Sequence, residues 1–314
     1  MNAVDHNNVV IFDDRGIPSI MCRFVRPKDT EEVPAVFKIG DKVADAIYIS
    51  KYPNIVIDGR AYSMPMADPT VNITFDEAVQ ACRCKGLGWH LMTAVEYEYL
   101  LNQSREKGTM PHGNTDWGKD YYHNEEQGKV SNLGRTYTGT GPVTWNHDHT
   151  PYGVSDLNGN VWEWLAGLRI KDGVIEFIPG NKAASPYCDL SKDSTEWQQA
   201  ETSKGPVRAN VECGEITITD AVAADDYEPN YDGVRIEELE VKLSEIPQVL
   251  KDLGIIPDKR AEEEGKTYVY FDATEGEYLP FRGSAFSDTS GSGPSALHLF
   301  NPRSNSYVNV GFRS

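Results

Sequence analysis

The chain has 314 residues, 39% of them hydrophobic, which is enough to build one large core or two ordinary ones. Its formal net charge is −18 and no stretch concentrates Lys and Arg, which argues against nucleic acid or an anionic membrane as a partner. No segment approaches the roughly 20 apolar residues of a membrane-spanning helix, and the N-terminal MNAVDHNNVVIFDDRGIPSI has neither the basic start nor the apolar run of an export signal.

In chain order, Val9 to Phe24 and Ala46 to Ile57 are rich in Val, Ile and Tyr, with turn sequences at Asp14-Arg15-Gly16 and Asp58-Gly59. Residues 1–69 are therefore expected to form a β-rich N-terminal segment. Two helices follow. Thr74 opens T-F-D-E and Thr93 opens T-A-V-E, both capping boxes in which the threonine hydroxyl takes the amide three residues on and Glu77 or Glu96 reaches back. Phe75, Ala78, Val79 and Cys82 share one face of the first helix, and Ala94, Tyr97, Leu100 and Leu101 one face of the second.

Residues 102–150 have neither a helical nor a strand period, yet contain Trp117, Tyr121, Tyr122, Tyr137 and Trp145. Such a stretch is a long loop belonging to a fold, since a flexible linker has no use for these aromatics. After GVSDLNGNVWEWLAGL, residues 168–280 read as an insertion appended to the main body. It should include a helix from Ser244 to Leu253, stopped by Gly254, and a solvated Glu-rich helical surface from Glu237 to Glu264. The five cysteines, Cys22, Cys82, Cys84, Cys188 and Cys213, lack the paired Cys-x-x-Cys spacing of a zinc site and read as reduced, mostly buried thiols.

The last stretch, residues 281–314, contains no Lys, Glu, Gln, Met or Trp, although these five types supply 58 of the preceding 280 residues. Independent drawing would produce such a gap about once in a few thousand trials. Alternating apolar residues (Leu297, Leu299, Phe300, Tyr307, Val308, Val310, Phe312) make strands here, not a disordered tail.

Three signatures carry a resemblance. WHLMTAVEYEYL (Trp89 to Leu100) resembles the R-L-P-T-E-A-E-W-E-Y-A pattern of the formylglycine-generating-enzyme family. YGVSDLNGNVWEWL (Tyr152 to Leu165) resembles that family's G-L-x-D-M-x-G-N-V-W-E-W, and FRGSAF with NVGFR resembles its R-G-G-S-W and N-I-G-F-R. The resemblance implies an α+β, C-type-lectin-like fold over residues 70–314, with twisted antiparallel sheets, two flanking helices and long loops. The residues agree. Asn158-Gly159 is a turn, and Trp162 and Trp164 lie on one face of a strand with Val161 and Leu165 opposite, so both faces should be buried.

That fold serves several functions. The family's oxidases hold a copper ion between two thiolates near the C-terminus, but this chain has no cysteine after Cys213. Its iron-dependent sulfoxide-synthase relatives use histidines of an extra N-terminal helical domain, whereas residues 1–70 here offer only His6. His147-Asp148-His149 has the residue types of a metal site but the setting of a turn. Asp156 and Glu163 could hold calcium or bond turn amides, and Glu228-Pro229-Asn230 matches the sugar-binding tripeptide of calcium-dependent lectins in a loop context. No catalytic residue, metal or cofactor is expected.

One branch of this fold comprises the variable proteins of diversity-generating retroelements, in which adenine-directed mutagenesis turns AAY codons into NNY. An NNY codon cannot encode Lys, Glu, Gln, Met or Trp. Against that branch's repeat, this chain keeps Arg282, Gly283, Ser290, Gly293, Leu297, Leu299, Asn301, Ser304 to Ser306, Asn309 and Gly311 to Arg313. It departs at Ala285, Ser287, Asp288, Gly291, His298, Phe300 and Tyr307, mostly where the repeat has Asn, while Phe286 in place of Trp reads as a scaffold substitution.

The resemblance implies a ligand-binding protein whose partner is a protein on a host cell surface. The expected site is Ala285, Ser287, Asp288, Gly291, Ala296, His298, Phe300, Arg303 and Tyr307, clustered on one exposed face. VVIFDDRGIPSIM and IYISKYPN resemble phage-encoded members, which implies a virion (phage tail) or cell-surface location. A formylglycine-type oxidase relative and a calcium-dependent lectin are the alternatives.

Overall fold

Gly16, at a φ of +77°, closes the first hairpin of the computed structural model, which describes residues 6–28, 30, 32–224 and 226–314. Residues 1–5, where the N-terminal segment and the stretch read for an export signal begin, lie outside the described residues. β1 (His6–Phe12) and β2 (Pro18–Val25) pair antiparallel, and β3 (Ala46–Ser50) adds to β2 as the third strand. The strand expected to run on to Ile57 breaks after Ser50, whose amide turns aside to the Ser314 carbonyl, and Ile55–Ile57 pairs instead with Arg60–Tyr62.

Both helices begin at their capping boxes. In α1 (Phe75–Arg83) the Thr74 hydroxyl accepts from the Glu77 amide at 3.3 Å, and the Glu77 carboxylate accepts from the Thr74 amide at 2.9 Å. Thr93 and Glu96 repeat the exchange at the start of α2 (Ala94–Lys107), which ends on Gly108 at a φ of +65°. Each helix buries the face its periodicity marked: Phe75, Ala78, Val79 and Cys82 in one, Ala94, Tyr97, Leu100 and Leu101 in the other. Beyond Lys107 the long loop is irregular, with Trp145 buried and its indole N–H on Glu126 at 3.0 Å, while Trp117, Tyr121 and Tyr122 stay exposed.

The NGNVWEW segment enters the core through a tight approach. Gly159 sits at a φ of +74° with the Asn114 carbonyl oxygen where a Cβ would be, 2.2 Å away, so a side chain here would collide with backbone. Asn160 follows at a φ of +64° and exchanges two hydrogen bonds with the Thr136 backbone. β4 (Trp162–Trp164) is buried along its whole length, and the Trp164 indole donates to the Ile73 carbonyl at 2.9 Å.

Residues 168–280 do not stand apart from the body. β5 (Leu168–Lys171), β6 (Val174–Phe177), β7 (Arg208–Glu212), β8 (Glu215–Thr219), β9 (Tyr231–Arg235), β10 (Glu240–Lys242), β11 (Tyr268–Asp272) and β12 (Glu277–Arg282) join β13 (Leu297–Asn301) in one sheet. Its order is β9-β11-β13-β12-β5-β6-β7-β8-β10, mostly antiparallel, with β11–β13 and β8–β10 parallel. β4 pairs with β12 and with β14 (Val310–Phe312).

Two details of this segment differ from expectation. The helix α3 spans only Gln248–Asp252, because Pro247 holds its predecessor out of helical geometry and Ser244 gives its amide to Asp220. The Glu-rich stretch is not one solvated helix: it contains β10, the short α3 and single helical turns, and Glu264 is buried, bonded to Arg105 at 2.8 Å.

Buried ion pairs tie the signatures together. The Arg313 guanidinium grips the Glu163 carboxylate, with its Nε at 2.6 Å, and also donates to the carbonyls of Ser50, Ser155 and Asp156. Arg282 joins Glu98, which also meets Arg105, so β12, α2 and the Glu264 turn share one charged cluster. Removing one member of a buried pair strands the other charge in the interior. Arg313→Met is therefore expected to cost about 3–5 kcal/mol in urea unfolding, and adding Glu163→Leu to recover part of it. A loss below about 1 kcal/mol would show that the pair does not hold the fold.

Candidate functional site

β13 and β11 run side by side with Tyr270 level with His298, flanked by Val269 level with Leu297 and Phe271 level with Leu299. Successive side chains alternate across a strand. Leu297, Leu299, Val269 and Phe271 therefore point into the core, and His298, Phe300, Tyr268 and Tyr270 lie half-buried on the other face. β12 places Phe281 level with His298 on the opposite flank, and Trp162 closes over the imidazole at 3.9 Å between ring centroids with planes 31° apart. Tyr270 meets His298 edge-on at 4.3 Å, Phe300 stands 5.0 Å from His298, and Tyr307 lies against Phe281 at 6.4 Å. The result is an aromatic face spread over four strands of separate sequence origin.

The turn after β12 folds over this face. Asp288 accepts the Ala285 amide at 2.8 Å, and its carboxyl lies near the Trp162 side chain. Gly291 lies so close to Tyr268 that a Cβ would come within 2.9 Å of its ring. The long loop supports the turn from outside: Trp117 donates its amide to the Phe286 carbonyl, Thr289 donates to the Thr115 carbonyl, and the Tyr122 hydroxyl donates to the Ser290 carbonyl. Phe286 is itself buried, its ring 5.0 Å from that of Trp117, as a scaffold residue should be.

Asp288, Gly291, His298, Phe300 and Tyr307 thus gather around Trp162, Phe281, Tyr268 and Tyr270, and Ser287 is half-buried in the same turn. Three expected positions do not present free side chains. Ala285 and Ala296 are buried, at 0% and 1% exposure. Strand alternation starts only at Leu297, and Ala296 belongs to the preceding turn, its amide on the Gly293 carbonyl, while Ala285 is held inward by Asp288. Arg303 is half-buried with its guanidinium committed to Glu277, Asp76 and the Leu190 carbonyl. The residues that sequence reasoning missed are Tyr268 and Tyr270. The period-two pattern of Tyr-Val-Tyr-Phe just before the terminal segment was their available signal.

The alternative motifs take up turn roles. Asp148 accepts the amide and hydroxyl of Thr150, His147 accepts the Val154 amide, and Asn230 accepts the amide of Tyr231. Asp156 accepts the Gly139 amide. Among the described residues no cluster of three or more His, Cys, Asp or Glu side chains is arranged to hold a metal ion. A cleft of about 290 Å³ beside Ser292, Gly293 and Pro294 has His112 and His123 in its wall, their rings stacked at 3.7 Å. His112 bonds Glu126 and His123 bonds Asp120.

Copper held between thiolates does not fit these residues. Cys82 and Cys188 are buried, and burial pushes their thiols up to about 12 and about 11, so they are protonated in the metal-free chain. Cys22 is likewise raised to about 12 by burial. Cys84 lies at the end of α1, and Cys213 is exposed in the turn between β7 and β8.

Two groups on the aromatic face titrate in opposite senses. Burial raises the Asp288 carboxyl from 3.8 to about 6, so the folded state holds that proton more tightly than the unfolded chain. The stability linked to it is complete below about pH 4 and lost as pH rises through about 6. Burial lowers the His298 imidazole from 6.5 to about 3, so its contribution is present above pH 6.5 and lost as pH falls toward 3. Asp288→Asn should thus raise stability at pH 7.5 by about 1–3 kcal/mol and leave it unchanged near pH 4. His298→Asn should flatten the decline below pH 6.5. Urea unfolding across pH 4–8 measures both, and parallel profiles for wild type and variants would refute the assignment.

Comparison with known proteins matches this arrangement to one family. The sulfatase-modifying factor enzyme 1-like domain aligns with residues 51–207. Formylglycine-generating enzyme of Mus musculus is 36% identical over 105 residues, which is 31% of this chain and 27% of the mouse protein. Two solved structures, the P3c and U1 variants of the major tropism determinant, align over 100% of this chain and 72% of their own. Their identity is 11%, with TM-scores of 0.33 and 0.32. With half its length matched, and with the capping-box helices and the NGNVWEW strand built as described, the chain belongs to the sulfatase-modifying factor enzyme 1-like family.

Proposed function

We propose that this protein binds a ligand through its C-terminal aromatic face, and that a diversity-generating retroelement varies that face. The observation that carries the reading is a separation of roles within residues 281–314. Of the positions that depart from the retroelement repeat, Ala285 and the scaffold residue Phe286 are buried, and Asp288, Gly291, His298, Phe300 and Tyr307 surround one aromatic patch. Many of the retained positions lie in the core: Arg282, Gly283, Leu297, Leu299, Asn301 and Gly311 to Arg313. A segment limited to NNY-encodable residues keeps its framework and changes its surface.

The partner is a protein on a host cell surface, and the chain acts on a virion, as a phage-tail adhesin, or on a cell surface. Tyr, Phe and His held on paired strands offer contact area with little ordering cost, a property of protein-binding surfaces. The missing thiolate pair argues against oxidation of a substrate cysteine, so the family scaffold here serves binding.

A display library randomised with NNY codons at Ser287, Asp288, Gly291, His298, Phe300 and Tyr307 tests the reading. Folded members should be recovered from it in quantity, since the buried framework is untouched and a typical substitution costs about 1 kcal/mol, and selection on unrelated proteins should return different binders. A library that is mostly unfolded, or that yields no binder to any of several proteins, would contradict it.

A further inference from the structure

His298 is a planar ring inserted between Trp162 and Tyr270, which lie outside the terminal segment. Trp162 lies tilted over it at 3.9 Å and Tyr270 meets it edge-to-face at 4.3 Å, with Phe281 level with it on the neighbouring strand and Phe300 5.0 Å away. Among the described residues neither ring nitrogen of His298 has a hydrogen-bond partner. Burial without such a partner drives the imidazole down to about 3, so it is neutral at physiological pH. A ring held this way is retained by shape, its faces against aromatic neighbours and its edge toward solvent.

Trp162 and Tyr270 do not depend on His298 for their places. Trp162 is backed by the buried core around Trp164 and Phe281 and is held in β4 by pairing with Val310. Tyr270 is fixed by pairing with β9, where Gly233 leaves room for its ring: a Cβ on Gly233 would fall 2.1 Å from it. The walls of the slot therefore stay when its occupant changes.

We infer that residue 298 is a plug whose size determines whether the slot formed by Trp162, Tyr270 and Phe281 is open, and that the group the open slot admits is a planar aromatic ring from the ligand. The inference rests on the reading of this face as a ligand-binding surface, but its test needs no receptor. In that reading a small residue at 298 lets a Phe, Tyr or Trp of the partner enter the slot, whereas His298 leaves contact to the surrounding rim. Variation at this one position then changes which class of side chain is recognised, beyond altering surface chemistry.

The experiment uses the full chain with His298→Ala and, in case that variant folds poorly, His298→Asn, a residue the repeat itself carries there. Phenol and imidazole are titrated against each variant and wild type, with tryptophan fluorescence and thermal unfolding as readouts and guanidinium as the cationic control. Saturable phenol binding by either variant, raising its melting temperature by a few degrees, with at least tenfold weaker binding by wild type, is expected. Trp162→Phe in the His298→Ala background should weaken it several-fold. Equal binding by wild type, no saturable binding by either variant, or preference for guanidinium over phenol would each overturn the inference. If phenol binds as expected and the display library yields no binders, the slot stands and the ligand-binding reading falls.

Discussion

The fold depends on a buried arginine. Arg313 pairs with Glu163 in the interior and donates to three backbone carbonyls besides, which joins the NVGFR end of the chain to the NVWEW strand and to the end of β3. Its own carbonyl accepts the Met92 amide at the start of the WHLMTAVEYEYL signature. Burying two charges costs several kcal/mol of desolvation, offset only where geometry and additional hydrogen bonds are good. Both conditions are met here, and the pair selects one arrangement of the three signatures, because any other leaves a charge unpaired. At the other end of the terminal segment, Arg282 does the same with Glu98 on α2.

Between these two anchors the chain crosses one sheet face. Leu297 and Leu299 hold β13 to the core, and the side chains between and beyond them are left to the solvent side. A segment fixed at both ends and along its inner face tolerates change on its outer face, since most of its stability resides elsewhere. That property suits the variable surface proposed above. Fold and function separate at the site.

Local chemistry was legible where local interactions decide. The capping boxes at Thr74 and Thr93 placed both helix starts, because the hydrogen bonds involved span three residues. Alternation along β13 placed His298 and Phe300 on the outer face. Ala285 and Ala296 were misplaced because the pleat does not extend into the turns on which they sit. The shortened α3 followed from one proline, and the burial of Glu264 from an Arg105 distant by 159 residues, which no window around Glu264 contains. Tyr268 and Tyr270 belong to the site only through the parallel pairing of β11 with β13, a long-range contact with no local signature. Half of the aromatic face is therefore visible in the terminal segment and the other half only in three dimensions.

Adenine-directed mutagenesis acts on DNA, and DNA is where the proposed diversification is most directly tested. Sequencing the region that encodes residues 281–314 together with its flanks, near any reverse-transcriptase gene, should reveal a second, near-identical copy of the terminal segment. The two copies should differ only where that second copy has adenine, with the differences falling in the codons of surface positions such as Asp288, His298, Phe300 and Tyr307. The absence of such a copy, or differences scattered equally over all four bases and over the codons of Arg282, Leu297, Leu299 and Arg313, would contradict it.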